Sequence, residues 1–365
     1  MRLCYVLLSP TWGMHQYTAD LANRMAGVGH EVHLVTTCRA PRDRYGPGVA
    51  VHAPVETTDS GFSTEAIRHA PSIIRDSLSA VRRVDPDLVH FTGPYLWNPL
   101  LLSALRWAGL PTVHTLHDLH PHAGTAYGRL LYLWNGWVRR AADHLLVHGR
   151  RYREELLAGG VEPTQVTCTL LTHLFVGYDR QQGLEQAPLV VRYEPWALLV
   201  GRLEAYKGLD VLVEAARLLD LPGAGVVIAG PGRLEGLVCG EIPAGVEVRN
   251  RLVGDDEAVD LFRRCGVVVL PYVEASQSAL VAAAYFFRKP AIVTQAGALP
   301  EYVVDGETGW VIPPGEPQAL AAALAAALSD PERLARMGHA GRAWYDRQRQ
   351  AEFDALQQMV AALAL

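Results

Sequence analysis

The sequence reads as an α/β protein of two doubly wound domains, each a parallel sheet with helices on its faces. Three observations predict this. The chain has 365 residues, more than a single hydrophobic core usually serves. It opens as strand, loop, helix, strand: an apolar run over 2–8, a loop Ser9–Gly13, a helical segment Tyr17–Val28 ending at Gly29, and a second run His30–Val35. The same order recurs late in the chain. Val267–Leu270 is an apolar strand stopped by Pro271 and Tyr272, Glu274–Ser278 is a small polar turn, Ala279–Phe287 is a buried helix, and Ala291–Thr294 is another strand. Strand, turn, helix, strand is the unit of a parallel sheet.

Composition narrows the function classes. Half of the residues are hydrophobic and the net charge is −5, so large cores are expected and nucleic acid is not the expected partner. Cys4, Cys38, Cys168, Cys239 and Cys265 are scattered without a C-x-x-C pair, which fits reduced thiols in a cytoplasmic protein. Arg2 is followed directly by a strand-length apolar run rather than a signal peptide, and no apolar stretch has the length of a membrane span.

Taken in order, residues 39–63 are rich in Pro, Gly and Asp and read as irregular, and residues 64–84 have helical spacing. Asp85-Pro-Asp87 has an Asp-x-Asp spacing seen in metal sites, but it stands directly before the apolar run from Leu88, and entry into a strand is the preferred reading. Thr112–Leu116 is a strand, with His114, His117, Asp118, His120 and His122 in or just beyond it. Zinc would suit such ligands. Strand alternation places His114 and His117 on opposite sides, so no metal site is expected. Segment 127–147 carries Trp134 and Trp137 at helical spacing among Arg129, Arg139 and Arg140. A helix lying on a membrane surface has that composition; a domain helix packed on the sheet is preferred, with peripheral membrane contact as the alternative. A helix over 149–157 and a strand Val166–Thr172 follow.

Residues 181–195 are polar with little pattern and read as a linker between a first domain, 1–180, and a second, 196–346. Trp196–Val200 is the second domain's first strand, followed by Gly201-Arg-Leu-Glu-Ala-Tyr-Lys207-Gly208 and a helix Leu209–Leu219. Arg202 and Lys207 thus share a strand-to-helix loop, where two cations and helix amides suit a diphosphate. Val226–Ala229 and Val246–Leu252 are strands, and Asp255–Arg264, 318–328 and 331–346 are helices. Gly230-Pro-Gly232 is a weak glycine motif, since Gly236 is misplaced for a dinucleotide fingerprint. The first loop has only Gly13, so a dinucleotide cofactor is not expected. A helix N-terminus near Ser276 would aim free amides at an anion.

The Gly201–Gly208 loop, Glu274, Gly297-Ala-Leu-Pro-Glu301 and Asp305-Gly-Glu-Thr-Gly309 resemble glycosyltransferase family 4. The resemblance covers nearly the whole chain and is strongest in 196–346. It implies a GT-B fold: two Rossmann-like domains facing a central cleft, with the tail 347–365 crossing back to the first. It also implies a retaining transferase, independent of metal and of any cofactor, using a UDP- or GDP-linked sugar as co-substrate and a carbohydrate or small-molecule hydroxyl acceptor. By the same resemblance His117, Glu274, Arg202 and Lys207 are the catalytic candidates. Gly13, Gly230, Gly232, Asn250, Leu252, Ser276, Gln277 and Ser278 join Glu274, Arg202 and Lys207 around the donor. Trp12, His15, Asp118 and His120 are placed on the acceptor side. The family's second glutamate would fall at Ala282, and Ser276-Gln277 replaces its Phe-Gly. Two further readings stay open: a nucleotide-sugar-binding relative without turnover, and a GT-B sugar-nucleotide epimerase.

Overall fold

The computed structural model describes residues 1–56, 64–120, 128–238 and 240–363; His122 and Cys239 lie outside them. The chain divides into two units, 1–186 with 351–365, and 187–350.

In the first unit the chain runs β1 (Arg2–Leu7), α1 (Trp12–Gly27), β2 (Glu31–Thr37), β3 (Val49–Val55), α2 (Thr64–Arg68), α3 (Ala70–Val84), β4 (Leu88–Phe91) and α4 (Asn98–Trp107). It continues with β5 (Thr112–Leu116), α5 (Gly128–Ala141), β6 (His144–His148), α6 (Arg150–Ala158), β7 (Val166–Thr169) and α7 (Tyr178–Gln186). Seven strands form one sheet in the order β3-β2-β1-β4-β5-β6-β7, and every pair is parallel. Strands covered on both faces need continuous apolar runs, and β4, β5 and β6 are buried at every position.

The second unit holds β8 (Trp196–Val200), α8 (Leu209–Leu218), β9 (Gly225–Ala229), β10 (Val246–Arg249), α9 (Asp255–Arg264) and β11 (Val267–Leu270). It continues with α10 (Ala279–Phe286), β12 (Ala291–Thr294), β13 (Gly309–Ile312), α11 (Pro317–Leu328) and the start of α12 (Pro331–Leu363). Its parallel sheet has the order β10-β9-β8-β11-β12-β13. In both sheets the strand order reverses once, between β1 and β4 and between β8 and β11. Open α/β sheets bind ligands at such a point, beyond the carboxyl ends of the strands.

Several elements differ from the sequence reading. Segment 39–63 contains β3, whose apolar residues pair with β2 despite the flanking Pro and Gly. Segment 127–147 splits into α5 and β6, because Asp143 ends the helix: its carboxylate accepts from the Thr112 amide and hydroxyl. Residues 181–186 of the expected linker are helical, as the end of α7. The C-terminal region is one helix of 33 residues rather than a helix and a separate tail. α1 begins at Trp12, so Gly13 sits inside its first turn rather than in a loop.

The last turns of α12 belong to the first unit, and a buried carboxylate fastens them. Glu352 is 4% exposed. It accepts from Arg24 at 3.0 Å and from the Thr172 hydroxyl, while Arg24 also lies over the Phe353 ring. Glu352→Ala removes one of the two carboxylates on the largely buried Arg24 guanidinium, leaving Asp20 at 3.5 Å, and should lower unfolding stability by about 2 kcal/mol. Glu352→Gln, which keeps the acceptor oxygen, should lose less. Chemical denaturation of the two variants checks the order.

Candidate active site

Five loops meet at the carboxyl edge of the second sheet. The loop after β8 carries Arg202 and Lys207. Its Gly201 amide donates to Ala229 at the end of β9, and Gly230 donates to Arg249 at the end of β10. Asn250 closes the next step, its Oδ1 accepting from the Gly232 amide at 3.1 Å. The segment after β11 is tied to the same loop, since the Val273 amide donates to Tyr206 at 2.8 Å. Beyond it, Ala298 after β12 donates to Ser276 at 3.0 Å. The structure therefore brings Arg202, Lys207, Gly230, Gly232, Asn250, Glu274 and Ser276 onto one edge.

Lys207 is the central cation of this edge. It is only 6% exposed. Its Nζ lies 5.6 Å from the centre of the Tyr272 ring and so close to Gly201 that a Cβ there would stand 2.8 Å from it. Burial pushes its ammonium down to about 8; Glu204 opposes that shift and Arg202 adds to it. Arg202 is mostly exposed and pairs with Glu204 at 3.3 Å. One charge is thus preset in a dry site, and the other reaches into solvent. Tyr206 and Tyr272 pack edge to face at 5.7 Å beside Lys207. Neither tyrosine was assigned to the site from the sequence, where Tyr272 was read only as a strand stop with Pro271.

The helix begins where its alanine-rich run begins, and the structure fixes its cap. α10 begins at Ala279, and Ser278 is its N-cap, with the hydroxyl accepting from the Leu280 amide at 3.3 Å. An extended Ser278 with a β-region backbone cannot continue a helix back to Ser276. Ser278 therefore caps the helix with its side chain, and Ser276 and Gln277 belong to the turn before it. Ala282 is fully buried in α10. Leu252 lies past β10 and is 73% exposed.

In the first unit, His117 follows β5 directly. Its Nε2 is 2.9 Å from the carbonyl of Thr92, which follows β4. Burial holds its imidazole below the ordinary histidine range, opposed by the Thr92 contact and by Asp118. Tyr17 on α1 packs against the rings of His117, His148 and His173 at 5.0, 5.1 and 5.8 Å. This aromatic cluster is assembled from α1, β5, β6 and the turn after β7, a convergence that no local spacing announces. His114 points the other way: it stacks on Phe91, meets Trp134 edge-on and contacts Asn98 at 3.1 Å. The two histidines thus sit on opposite faces, as alternation requires.

A cavity of about 230 Å³ opens beside His117, lined by Pro94, Asp118, Leu131, Trp134 and Asn135 among others. Asn135 is 4% exposed and donates to the carbonyls of Asp118 and Leu119. Among the described residues its Oδ1 has no hydrogen-bond partner.

The remaining first-unit candidates are drawn elsewhere. His15 is buried against the Tyr45 hydroxyl at 2.8 Å, and burial lowers it to about 4. Trp12 is half-exposed, with the Arg44 guanidinium 4.5 Å over its ring. His120 turns to Tyr132 and Glu155 at the surface. Gly13 lies in the first turn of α1, and a Cβ there would meet nothing within 4 Å. Asp87 accepts from the Arg2 amide at 2.7 Å, so the Asp85-Pro-Asp87 pair serves strand entry.

Comparison with known proteins identifies both units. Residues 13–169 match the glycosyl transferase 4-like domain, and residues 185–344 match the glycosyl transferases group 1 family. The chain is 28% identical to a D-inositol 3-phosphate glycosyltransferase of Streptomyces avermitilis, over 90% of this chain and 78% of that one. It is also 28% identical to a glycogen synthase of Mycobacterium tuberculosis, over 90% of this chain and 86% of that one. Among solved structures, a sucrose-phosphate synthase from Thermosynechococcus elongatus superposes with a TM-score of 0.78 at 20% identity, covering 98% of this chain and 97% of that one. HepE of Anabaena, solved with UDP and glucose, gives 0.71 at 15% identity, over 98% of this chain and 99% of that one. The two parallel sheets are those of the GT-B fold, and with its first half matching the glycosyl transferase 4-like domain and its second half the glycosyl transferases group 1 family, the chain is a glycosyltransferase of the family 4 type.

Proposed function

We propose that the enzyme moves a sugar from a nucleotide-diphosphate sugar to a hydroxyl acceptor, with retention of configuration and without a metal ion or cofactor. The observation that carries this reading is Lys207, a buried ammonium at the switch point of the second sheet, with Arg202 on the same loop. As the sugar–phosphate bond breaks, its electrons pass to the departing diphosphate. A preset cation in a dry site stabilises that charge more than a solvated one does. The acceptor oxygen forms the new bond to the sugar carbon, and the hydroxyl proton leaves with the diphosphate or to solvent. Glu274 supplies a carboxylate beside the developing positive charge on the sugar. The base is assigned to the edge at Asn250 and Leu252. His117 and the cavity beside it orient the acceptor or the sugar. HepE was solved with UDP-glucose, which supports a uridine-linked donor here, with guanosine as the alternative.

Thermal-shift binding of UDP, GDP, ADP and dTDP, with EDTA and then with magnesium, tests the reading. One nucleotide should raise the melting temperature equally in both buffers. A shift that requires magnesium contradicts metal independence. A second reading, binding without turnover, is favoured by Ala282, which puts no carboxylate where the family's second glutamate stands. It is supported if nucleotide binds but the donor sugar is never transferred or hydrolysed.

The pH dependence follows from Lys207. Its folded value, about 8, is below the ordinary 10.5. Between those values the unfolded chain binds more protons, so this group makes stability rise with pH across that window. A bound diphosphate favours the charged ammonium, so nucleoside diphosphate affinity should fall as pH rises through about 8. Calorimetric titration on either side of that pH measures the loss.

A further inference from the structure

The helices on one face of the first sheet carry surface chemistry that glycosyl transfer does not use. α3, α4 and α5 each return from one parallel strand to the next, so they run side by side in the same direction. α5 buries Trp134 and Val138 against the domain but leaves Leu130, Leu133 and Trp137 at 60, 76 and 47% exposure. Their spacing puts all three on one stripe of the helix. Trp107, the last residue of α4, is 97% exposed. It stands near the end of α5, because Arg106 donates to the Arg140 carbonyl at 2.8 Å. Exposed large apolar residues grouped in this way mark an interaction surface.

The charge around them is one-sided. α4 and α5 contain no Asp or Glu, and their described arginines are Arg106, Arg139 and Arg140. α3 adds exposed Arg82 and Arg83 in its last turn, beside the crevice they share with Arg75. Among the described residues the acidic groups beside these helices include Asp76, held by Arg75, Asp143, 3.3 Å from Arg106, and Glu155, which pairs with His120 beside Tyr132 of α5. The chain as a whole carries −5. A basic, tryptophan-bearing face on an acidic protein is complementary to a negatively charged bilayer. Among the described residues no helix is long and apolar enough to cross a membrane. Leu130 connects the stripe to the cavity beside His117, since it lines both.

We propose that the α3–α4–α5 face of the first unit docks on the surface of an anionic lipid bilayer. Trp107, Leu133 and Trp137 enter the headgroup boundary, and the arginines of the three helices meet lipid phosphates. Because Leu130 borders both surfaces, a membrane-anchored acceptor would reach the cavity from the bilayer along α5. That consequence rests on the acceptor reading above; the docking itself does not.

Vesicle flotation of the full chain tests it without any sugar donor. Phosphatidylcholine vesicles containing phosphatidylglycerol should carry the protein, and pure phosphatidylcholine vesicles should carry about tenfold less. Added salt should release it. Trp107→Ser/Leu133→Ser changes two side chains that touch little of the fold, so its melting temperature should match the parent while flotation falls about tenfold. Arg82→Glu/Arg83→Glu should weaken binding to the anionic vesicles specifically. Undiminished flotation of the serine variant, equal binding to neutral vesicles, or no binding at all overturns the proposal. So does a concentration-dependent dimer of the parent that the serine variant dissolves, which would assign the face to a second copy of the chain.

Discussion

Lys207→Ala should lower kcat by about 10²- to 10³-fold while leaving the fold intact, the loss expected when one preorganised stabiliser of developing charge is removed. Lys207 holds its charge in a site 6% open to water, between the Gly201 backbone and the Tyr272 ring. An ammonium confined in this way needs no rearrangement as the diphosphate departs. Burying it is also unfavourable for the protein alone, as its lowered value of about 8 shows. The alanine variant should therefore melt no lower than the parent at neutral pH, so lost activity cannot be ascribed to unfolding. Arg202→Ala should show a smaller loss, about tenfold, because its guanidinium is mostly in water and already shared with Glu204. Steady-state kinetics with the donor identified by thermal shift checks both. Equal losses at the two positions would mean that burial of Lys207 contributes nothing to the reaction.

Gly297→Ala should destabilise the second unit by about 4 kcal/mol and abolish donor binding with it. Gly297 has φ of +52°, and a Cβ there would stand 1.8 Å from the backbone oxygen of Ala275. Its neighbour Ala298 donates to the Ser276 carbonyl at 3.0 Å. An added methyl would push on the segment that carries Glu274, Ser276 and Gln277, and neither backbone can yield as a flexible side chain could. Gly306→Ala is the control, since φ there is also positive, +76°, but the space is open. Thermal unfolding should separate the two variants, with Gly297→Ala far lower.

The sequence made the second unit easier to read than the first. β11, α10 and β12 are marked by an apolar run, an alanine-rich run and a Lys-Pro break, and Asp255–Arg264 carries acidic residues at its start and basic ones at its end. Lys207 could be placed from its loop alone. What the sequence did not disclose was mostly contact between distant parts. Nothing near Gly297 says that the Ala275 backbone leaves no room for a side chain there, and nothing near Tyr17 says that three histidines from three other segments surround its ring. β3 and β6 were hidden for a local reason. One lies among prolines and glycines, and the other continues the apolar spacing of α5 into a strand. The helix from Ala279 was legible in its alanine-rich run, whereas the capping role of Ser278, which places Ser276 and Gln277 in the turn before it, was not.

The unbroken α12 has a consequence for biosynthesis. Since 351–365 completes the unit that begins at residue 1, the second unit is topologically an insertion within the first. The ribosome finishes residues 187–350 before the last structural piece of the N-terminal unit exists. Residues 1–186 must therefore wait, lacking Glu352 and with Arg24 and Thr172 not yet engaged by it, until residues 351–365 are made. Cutting the chain for separate expression is correspondingly asymmetric. Residues 187–350 form a contiguous piece, whereas the other unit needs its C-terminal turns supplied in trans or joined by a new link.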